Sequence, residues 1–397
     1  MSEPVLRDPY VEAPAHRVEI SRVSPPADGR LQSLDVFRGI TIAGMLLVNN
    51  PGTWSAVYPP LRHAEWHGWT PTDLIFPFFL FIVGVAMTYS FGKLISRGQA
   101  RTAILAKSAR RAAILFGLGL VLHSYPWIGF DYSHLRIPGV LQRIALAFLA
   151  AAVLVLWLAP RGRAVAAATL LLGYWALLSW VPVPGGEAGV LEPGRDLGAY
   201  IDRAVFGIDH LYANSRTWDP EGLLSTLPAI ATVLLGVFAG EWLRSGRPRE
   251  VIARRLFLAG MVGVIAGLAW NAVFPINKGL WTSSYVLFTG GAGAILLAAC
   301  YWVIDVKGSR RWAFPFLVLG MNAIAAYFLS SLMADVIDTP WISSPDGAIG
   351  IKPWVYQNLF ASWLSPVNAS LAFALTFVAF WAIVMWGFYK RGIFVKV

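Results

Sequence analysis

The chain has one cysteine in 397 residues, Cys300, inside an apolar run. An intrachain disulfide and a cysteine metal cluster are therefore excluded, and cysteine usage says nothing about redox compartment. Charge is also scarce. Only 14% of residues are charged and 57% are hydrophobic, where a soluble domain carries about 25% charged residues. A mean hydropathy of +0.59 agrees, and the class is a polytopic membrane protein. The net charge of +10 is not gathered in one patch. The basic residues sit in short loops between apolar runs, a topology pattern, so no nucleic-acid partner is expected. Residues 1–30 are polar, contain proline and lack an apolar core. They read as a disordered cytoplasmic tail, not a signal peptide. No internal repeat and no low-complexity tract appears.

What is present is a series of apolar runs. A spanning helix needs about 20 mostly apolar residues. Ten segments qualify, roughly 33–50, 71–92, 108–124, 137–158, 164–182, 221–243, 253–273, 282–304, 312–333 and 365–389. With the N-terminus in the cytoplasm and the loops alternating, 24 of the 32 Lys and Arg fall on the inner side. Every inner loop then obeys the positive-inside rule. The expected fold is all-α, with about ten transmembrane helices, both termini cytoplasmic, and one transmembrane domain over 31–397. Two outer loops are long, 183–220 and 334–364. Loops of that length carry function or act as lids, and these are placed to cover an outward-facing pocket.

The stretch 49–81, NNPGTWSAVYPPLRHAEWHGWTPTDLIFPFFLF, links the first two runs. Asn49 and Asn50 close the first helix, and Pro51-Gly52 stops it. Thr70 suits an N-cap, Pro71 the first helical position, and Asp73 the third position of a capping box. His63 precedes Asp73 by 10 residues. Two readings stand for each. Asp73 caps the helix, or also orients His63. His63 is an interfacial polar residue, or a general base whose tautomer a carboxylate fixes. His63 and His67 also have the i, i+4 spacing of a helical metal site. The segment before Gly68 is too short for a helix, so no metal is expected.

Arg136 and Arg143, seven residues apart, open the fourth run and would share a helix face. An arginine two turns deep must face a partner or a wet cavity. The choice lies between an intramembrane acid and an anionic or carbonyl-bearing ligand. Asp35 and Arg38 are one turn apart and read as a local ion pair. Asp219-Pro220-Glu221-Gly222 reads as the cap of the sixth helix. Asn271, Asn277, Lys278, Ser283, Ser284 and Asn322 are polar groups in or beside the seventh to ninth runs. They serve as interhelical glue or site lining.

Together, LQSLDVFRGITI (31–42), RHAEWHGWTPTDLIFPFF (62–79), RIPGVLQRIA (136–145), WDPEGLLSTLPAI (218–230), NKGLWTSSYV (277–286) and GMNAIAAYF (320–328) resemble the heparan-α-glucosaminide N-acetyltransferase family of transmembrane acyltransferases. The VNN end of the first run matches too. The resemblance implies transfer of acetyl from cytosolic acetyl-CoA to an amino-sugar amine across the membrane. It places the family's catalytic histidine on His63 and its polar partners on Asn49 and Asp73. The loop between Asn49 and His63 is longer than in the animal enzymes of the family, so an amino sugar or other envelope glycan of bacterial style is expected as acceptor in place of heparan sulfate, in a bacterial-type member of an inner (plasma) membrane. A homodimer is left open.

Physical chemistry is consistent with that assignment. The phosphates of acetyl-CoA are too costly to desolvate for unaided passage through a bilayer. An enzyme bridging the two sides must hold phosphates at the inner face, where Arg110 and Arg111 lie, and present the thioester to an outer base. Arg136 and Arg143 are expected along the way, and Asn49 would orient the thioester carbonyl or its oxyanion. Two rivals remain. A secondary transporter of an anionic solute would show inverted repeats and broken helices. A scaffold protein would have no need of His63.

Overall fold

The computed structural model describes residues 31–344 and 347–395. The expected tail 1–30, with Arg7, Arg17, Arg22 and Arg30, lies outside the described residues, as does Lys396.

The architecture is all-α and polytopic, with one short hairpin. In order, the helices are α1 (Gln32–Asn49), α2 (Ile75–Ser96), α3 (Arg101–His123), α4 (Val140–Trp157), α5 (Pro160–Trp180), α6 (Leu197–Phe206) and α7 (Thr226–Leu243). They continue with α8 (Arg249–Trp270), α9 (Ser283–Tyr301), α10 (Phe314–Met321), α11 (Ala323–Asp338), α12 (Ile351–Val355) and α13 (Pro366–Lys390). Among the described residues, seven spans are long and apolar enough to cross a membrane, or eight if the bent pair α10 and α11 is one span. The other two expected segments are helical but less apolar. Asp35 and Arg38 sit in the first turns of α1, and Arg101, Lys107, Arg110 and Arg111 in the first half of α3.

The main packing pairs are α8 with α9, α2 with α7, α3 with α4 and α1 with α10. Between α2 and α7 the backbones approach closely. A Cβ on Gly84 would lie 1.9 Å from the Val233 carbonyl oxygen, and one on Gly236 would lie 1.9 Å from that of Phe81. Glycine at both positions lets these helices touch, as small residues do in membrane interfaces. Val233, Leu234, Val237, Leu80 and Ile82 close the core around them.

Three expectations are corrected. The ninth segment is not one straight helix: α10 and α11 meet at 73° across Asn322. Asn322 donates from Nδ2 to the Ile393 carbonyl and accepts from Val395 N. The polar side chain at the break thus ties down the segment after α13. The fourth helix starts at Val140 rather than 137, because Pro138 disfavours helical geometry in the residue before it. Arg136 therefore stands ahead of α4 and shares no helix face with Arg143. Both long loops contain regular structure. The first contains α6, with Asp196 capping Ala199 N at 3.0 Å. The second contains an antiparallel hairpin, β1 (Pro340–Ser344) with β2 (Gly347–Gly350); Asp346 lies outside the described residues. The Asp35–Arg38 pair is present at 3.1 Å, and Arg38 also reaches the Gly320 carbonyl on α10.

Candidate active site

Pro71–Leu74 forms one turn of 3-10 helix ahead of α2, with Thr70 as its cap. Asp73 completes the capping box and is 1% exposed. Its Oδ2 accepts from Thr70 N at 3.0 Å, Ala64 N at 3.0 Å and Thr70 Oγ1 at 3.2 Å. Its Oδ1 is 2.6 Å from His63 Nδ1. Both readings of Asp73 therefore hold at once: one oxygen serves the cap, the other the histidine. Because a carboxylate only accepts, Nδ1 carries the proton and Nε2 is left with its lone pair. The His63 side chain is 47% exposed. The Tyr285 hydroxyl, from α9, donates to the Asp73 carbonyl at 2.5 Å and anchors the turn from below.

The loop carrying His63 is held against the α8–α9 connection. His67 and Asn277 form an isolated antiparallel bridge, and Gly68 N donates to the Ile276 carbonyl at 2.8 Å. Gly68 has φ of 97°, a left-handed backbone that glycine adopts without a Cβ clash. Asn277 is fully buried, and its Oδ1 accepts from Leu280 N at 2.8 Å. This brings Lys278 over the imidazole. Lys278 Nζ is 3.0 Å and 3.2 Å from the two ring nitrogens of His63 and 3.6 Å from Asp73 Oδ1. Burial lowers the Lys278 pKa, and Asp73 opposes that shift. Burial also lowers the pKa of His67. His67 turns toward Asn277 Nδ2, 3.3 Å away, so the two histidines of the HAEWH segment diverge.

These groups line a cavity of about 340 Å³, within the usual range for a small-molecule site. Its wall includes Asn49, His63, Asp73, Arg136, Lys278 and Tyr327, with Trp66 and Trp218 in edge-to-face contact at 5.0 Å. Asn49 is exposed at the end of α1. Four of the seven sequence candidates are thus brought together: Asn49, His63, Asp73 and Arg136.

Arg143, Arg110 and Arg111 do not line it. Arg143 is 1% exposed; it bonds the Gly222 carbonyl and Ser225 Oγ and stacks on Trp281 at 4.9 Å. Arg110 is exposed on α3. Arg111 stacks on Phe148 at 5.1 Å, and its Nε has no hydrogen-bond partner.

Arg136 lines the cavity, but its charge is already engaged. It donates from Nε and Nη2 to both oxygens of Asp219, at 2.9 and 2.7 Å, and from Nη2 to Glu221 at 2.6 Å. This corrects the capping reading of Asp219-Pro220-Glu221. The helix α7 starts only at Thr226, after Ser225. Asp219 still caps its own turn, its Oδ1 accepting from Glu221 N at 2.9 Å, but that turn does not open α7, and both acids clamp the arginine. Lys278 is the group that sequence reasoning left undistinguished. Its signal was present in the NKGLW segment, but nothing local assigned it to His63.

The loop after α6 is held by Asp202, whose Oδ1 accepts from Leu223 N at 2.8 Å. Burial pushes the Asp202 carboxyl up to about 7. A raised acid binds more protons folded than unfolded between about pH 4 and pH 7. Its cost to stability therefore grows through that window and is complete above it. Asp202→Asn keeps the acceptor and removes the charge. Its melting temperature relative to the native chain is expected to rise from pH 4 to pH 8, measured by thermal unfolding in detergent. A difference that stays flat with pH refutes this.

The sequence matches the family described as heparan-alpha-glucosaminide N-acetyltransferase, catalytic, over residues 30–274. The human heparan-alpha-glucosaminide N-acetyltransferase is 30% identical over 419 aligned positions, covering 93% of this chain and 60% of the human protein. The mouse protein of the same name is 28% identical over the same extents. The chain thus spans about 60% of the length of these relatives.

Proposed function

The chain belongs to the heparan-α-glucosaminide N-acetyltransferase family, and from that premise we propose that it transfers acetyl from acetyl-CoA to the amine of an amino sugar or related envelope glycan. The observation that carries this reading is the His63–Asp73 pair at 2.6 Å in a lined cavity. An amine attacking a thioester must lose a proton. Asp73 holds the imidazole so that Nε2 faces that proton, and the acid itself need not be protonated. Asn49, at the cavity wall, is placed to orient the thioester carbonyl.

The cavity suits the thioester end of the donor and one sugar. The nucleotide is assigned to the other end of the bundle, where the basic segments gather. Arg110 is exposed there as a phosphate partner, with Arg111 beside it held against Phe148. The 24-to-8 partition of basic residues supports a cytoplasmic location for that end, with His63 on the far side, and the membrane in this reading is a bacterial-type inner membrane.

One feature favours a transporter of an anionic solute, the break at Asn322. Its side chain is occupied by the backbone of residues 393 and 395, and the sequence shows no inverted repeat. The transferase reading accounts for more of the site. Purified protein incubated with labelled acetyl-CoA should release free CoA thiol and N-acetylated product only when an amino sugar is added. Labelled acetyl-CoA that stays intact in the presence of glucosamine and its glycosides overturns the proposal.

A further inference from the structure

The resting site poses an electrostatic question. Lys278 Nζ lies 3.2 Å from His63 Nε2, the nitrogen that takes the substrate proton. Its near-equal distance to Nδ1, 3.0 Å, puts it against the ring face instead of in line with one lone pair. An imidazolium beside an ammonium is unfavourable unless each has its own anion. The imidazolium has Asp73. The ammonium has Asp73 at 3.6 Å, a carboxylate that already accepts four hydrogen bonds, and the pull of Glu221, which Arg136 already holds at 2.6 Å.

We propose that Lys278 is a catalytic residue that takes the developing oxyanion of the acyl group as its partner. The inference rests on the transferase reading. As the amine nitrogen bonds to the thioester carbon, the C=O π pair moves to oxygen and the amine proton passes to His63 Nε2. The site then holds two opposite-charge pairs, imidazolium with Asp73 and ammonium with the oxyanion, and its net charge is unchanged. Collapse re-forms the carbonyl and breaks the C–S bond. The thiolate takes the proton from His63, giving an amide and free thiol.

The other cation on the cavity wall is Arg136, and it is committed to Asp219 and Glu221. Lys278 is also held in place as a site residue. The His67–Asn277 bridge fixes the backbone on one side of it. On the other, Trp281 adopts a left-handed φ of 53° while 1% exposed. Such strain persists only where surrounding packing imposes it. The Lys278 side chain is 23% exposed and lines the cavity beside His63.

The test uses full-length protein, acetyl-CoA and glucosamine. Lys278→Met should lower kcat about 10²–10³-fold, the loss seen when an oxyanion donor is removed. The KM for acetyl-CoA should stay within about threefold, because the interaction forms only in the transition state. Lys278→Arg should recover most of kcat, and Lys278→Gln only part. Should the Met variant not fold, the Gln and Arg variants decide the matter: equal kcat for both overturns the proposal. So does native kcat in Lys278→Met, or a loss confined to KM. Acetylation of Lys278 itself, read by mass spectrometry, also overturns it, since an amide carries no positive charge. His63→Ala is run in parallel. If it stays active while Lys278→Met is lost, the base assignment fails and this one stands. A native chain that transfers nothing overturns both.

Discussion

Replacing His63 with alanine is expected to abolish acetyl transfer while leaving acetyl-CoA binding near native. The imidazole is half exposed, and among the described residues its ring nitrogens meet Asp73 and Lys278, so little packing is lost. General base catalysis contributes roughly 10²–10⁴-fold, and turnover should fall by that much or more. Asp73→Asn separates the two duties of Asp73. An asparagine can orient its oxygen toward the cap or toward His63, not both, and its amide then faces an N–H donor. A lower kcat with acetyl-CoA affinity retained is the expected result. Native transfer in His63→Ala ends the base assignment. The experiment also decides between two routes. We favour direct attack in a ternary complex, because an acyl-imidazole would sit on a side chain open to water. Label retained on the protein without acceptor, and lost in His63→Ala, would instead establish an acetyl-histidine.

Arg136→Met is expected to produce the largest loss of stability. Asp219 is fully buried at its side chain and Glu221 is 9% exposed, and Arg136 holds both. Removing one partner of a buried ion pair costs about 3–5 kcal/mol, because the charge left behind is uncompensated. The melting temperature in detergent should drop sharply. Adding Asp219→Asn and Glu221→Gln should restore much of it, since no orphan charge remains. This result also tests the expectation that Arg136 binds the donor. If it contacts the donor near its thioester end instead, Arg136→Met will keep its melting temperature and lose acetyl-CoA affinity.

The two halves of the site were unequally legible. His63 and Asp73 lie in one loop, 10 residues apart. The Thr-Pro-Thr-Asp signature fixes the turn that carries Asp73, so local rules nearly suffice to pair them. Arg136 finds its acids 83 and 85 residues away, and Lys278 meets His63 across 215. At such separations no local signal competes. Asp219 and Glu221 carried a good capping pattern, and the long-range arginine overrode it.

By itself, the sequence determined the all-α membrane class and the positions of the ten helical segments, because the cost of placing polar groups in lipid acts on each run separately. It also determined the Thr70–Asp73 capping turn, because capping is settled within four residues. Only the tertiary structure decided that Lys278 sits on His63, that Arg136 is clamped while Arg143 turns away from the cavity, and that the ninth segment bends by 73° at Asn322. Hydropathy does not register a bend. Each of these depends on which distant backbone a polar side chain meets, and that is set by packing between helices.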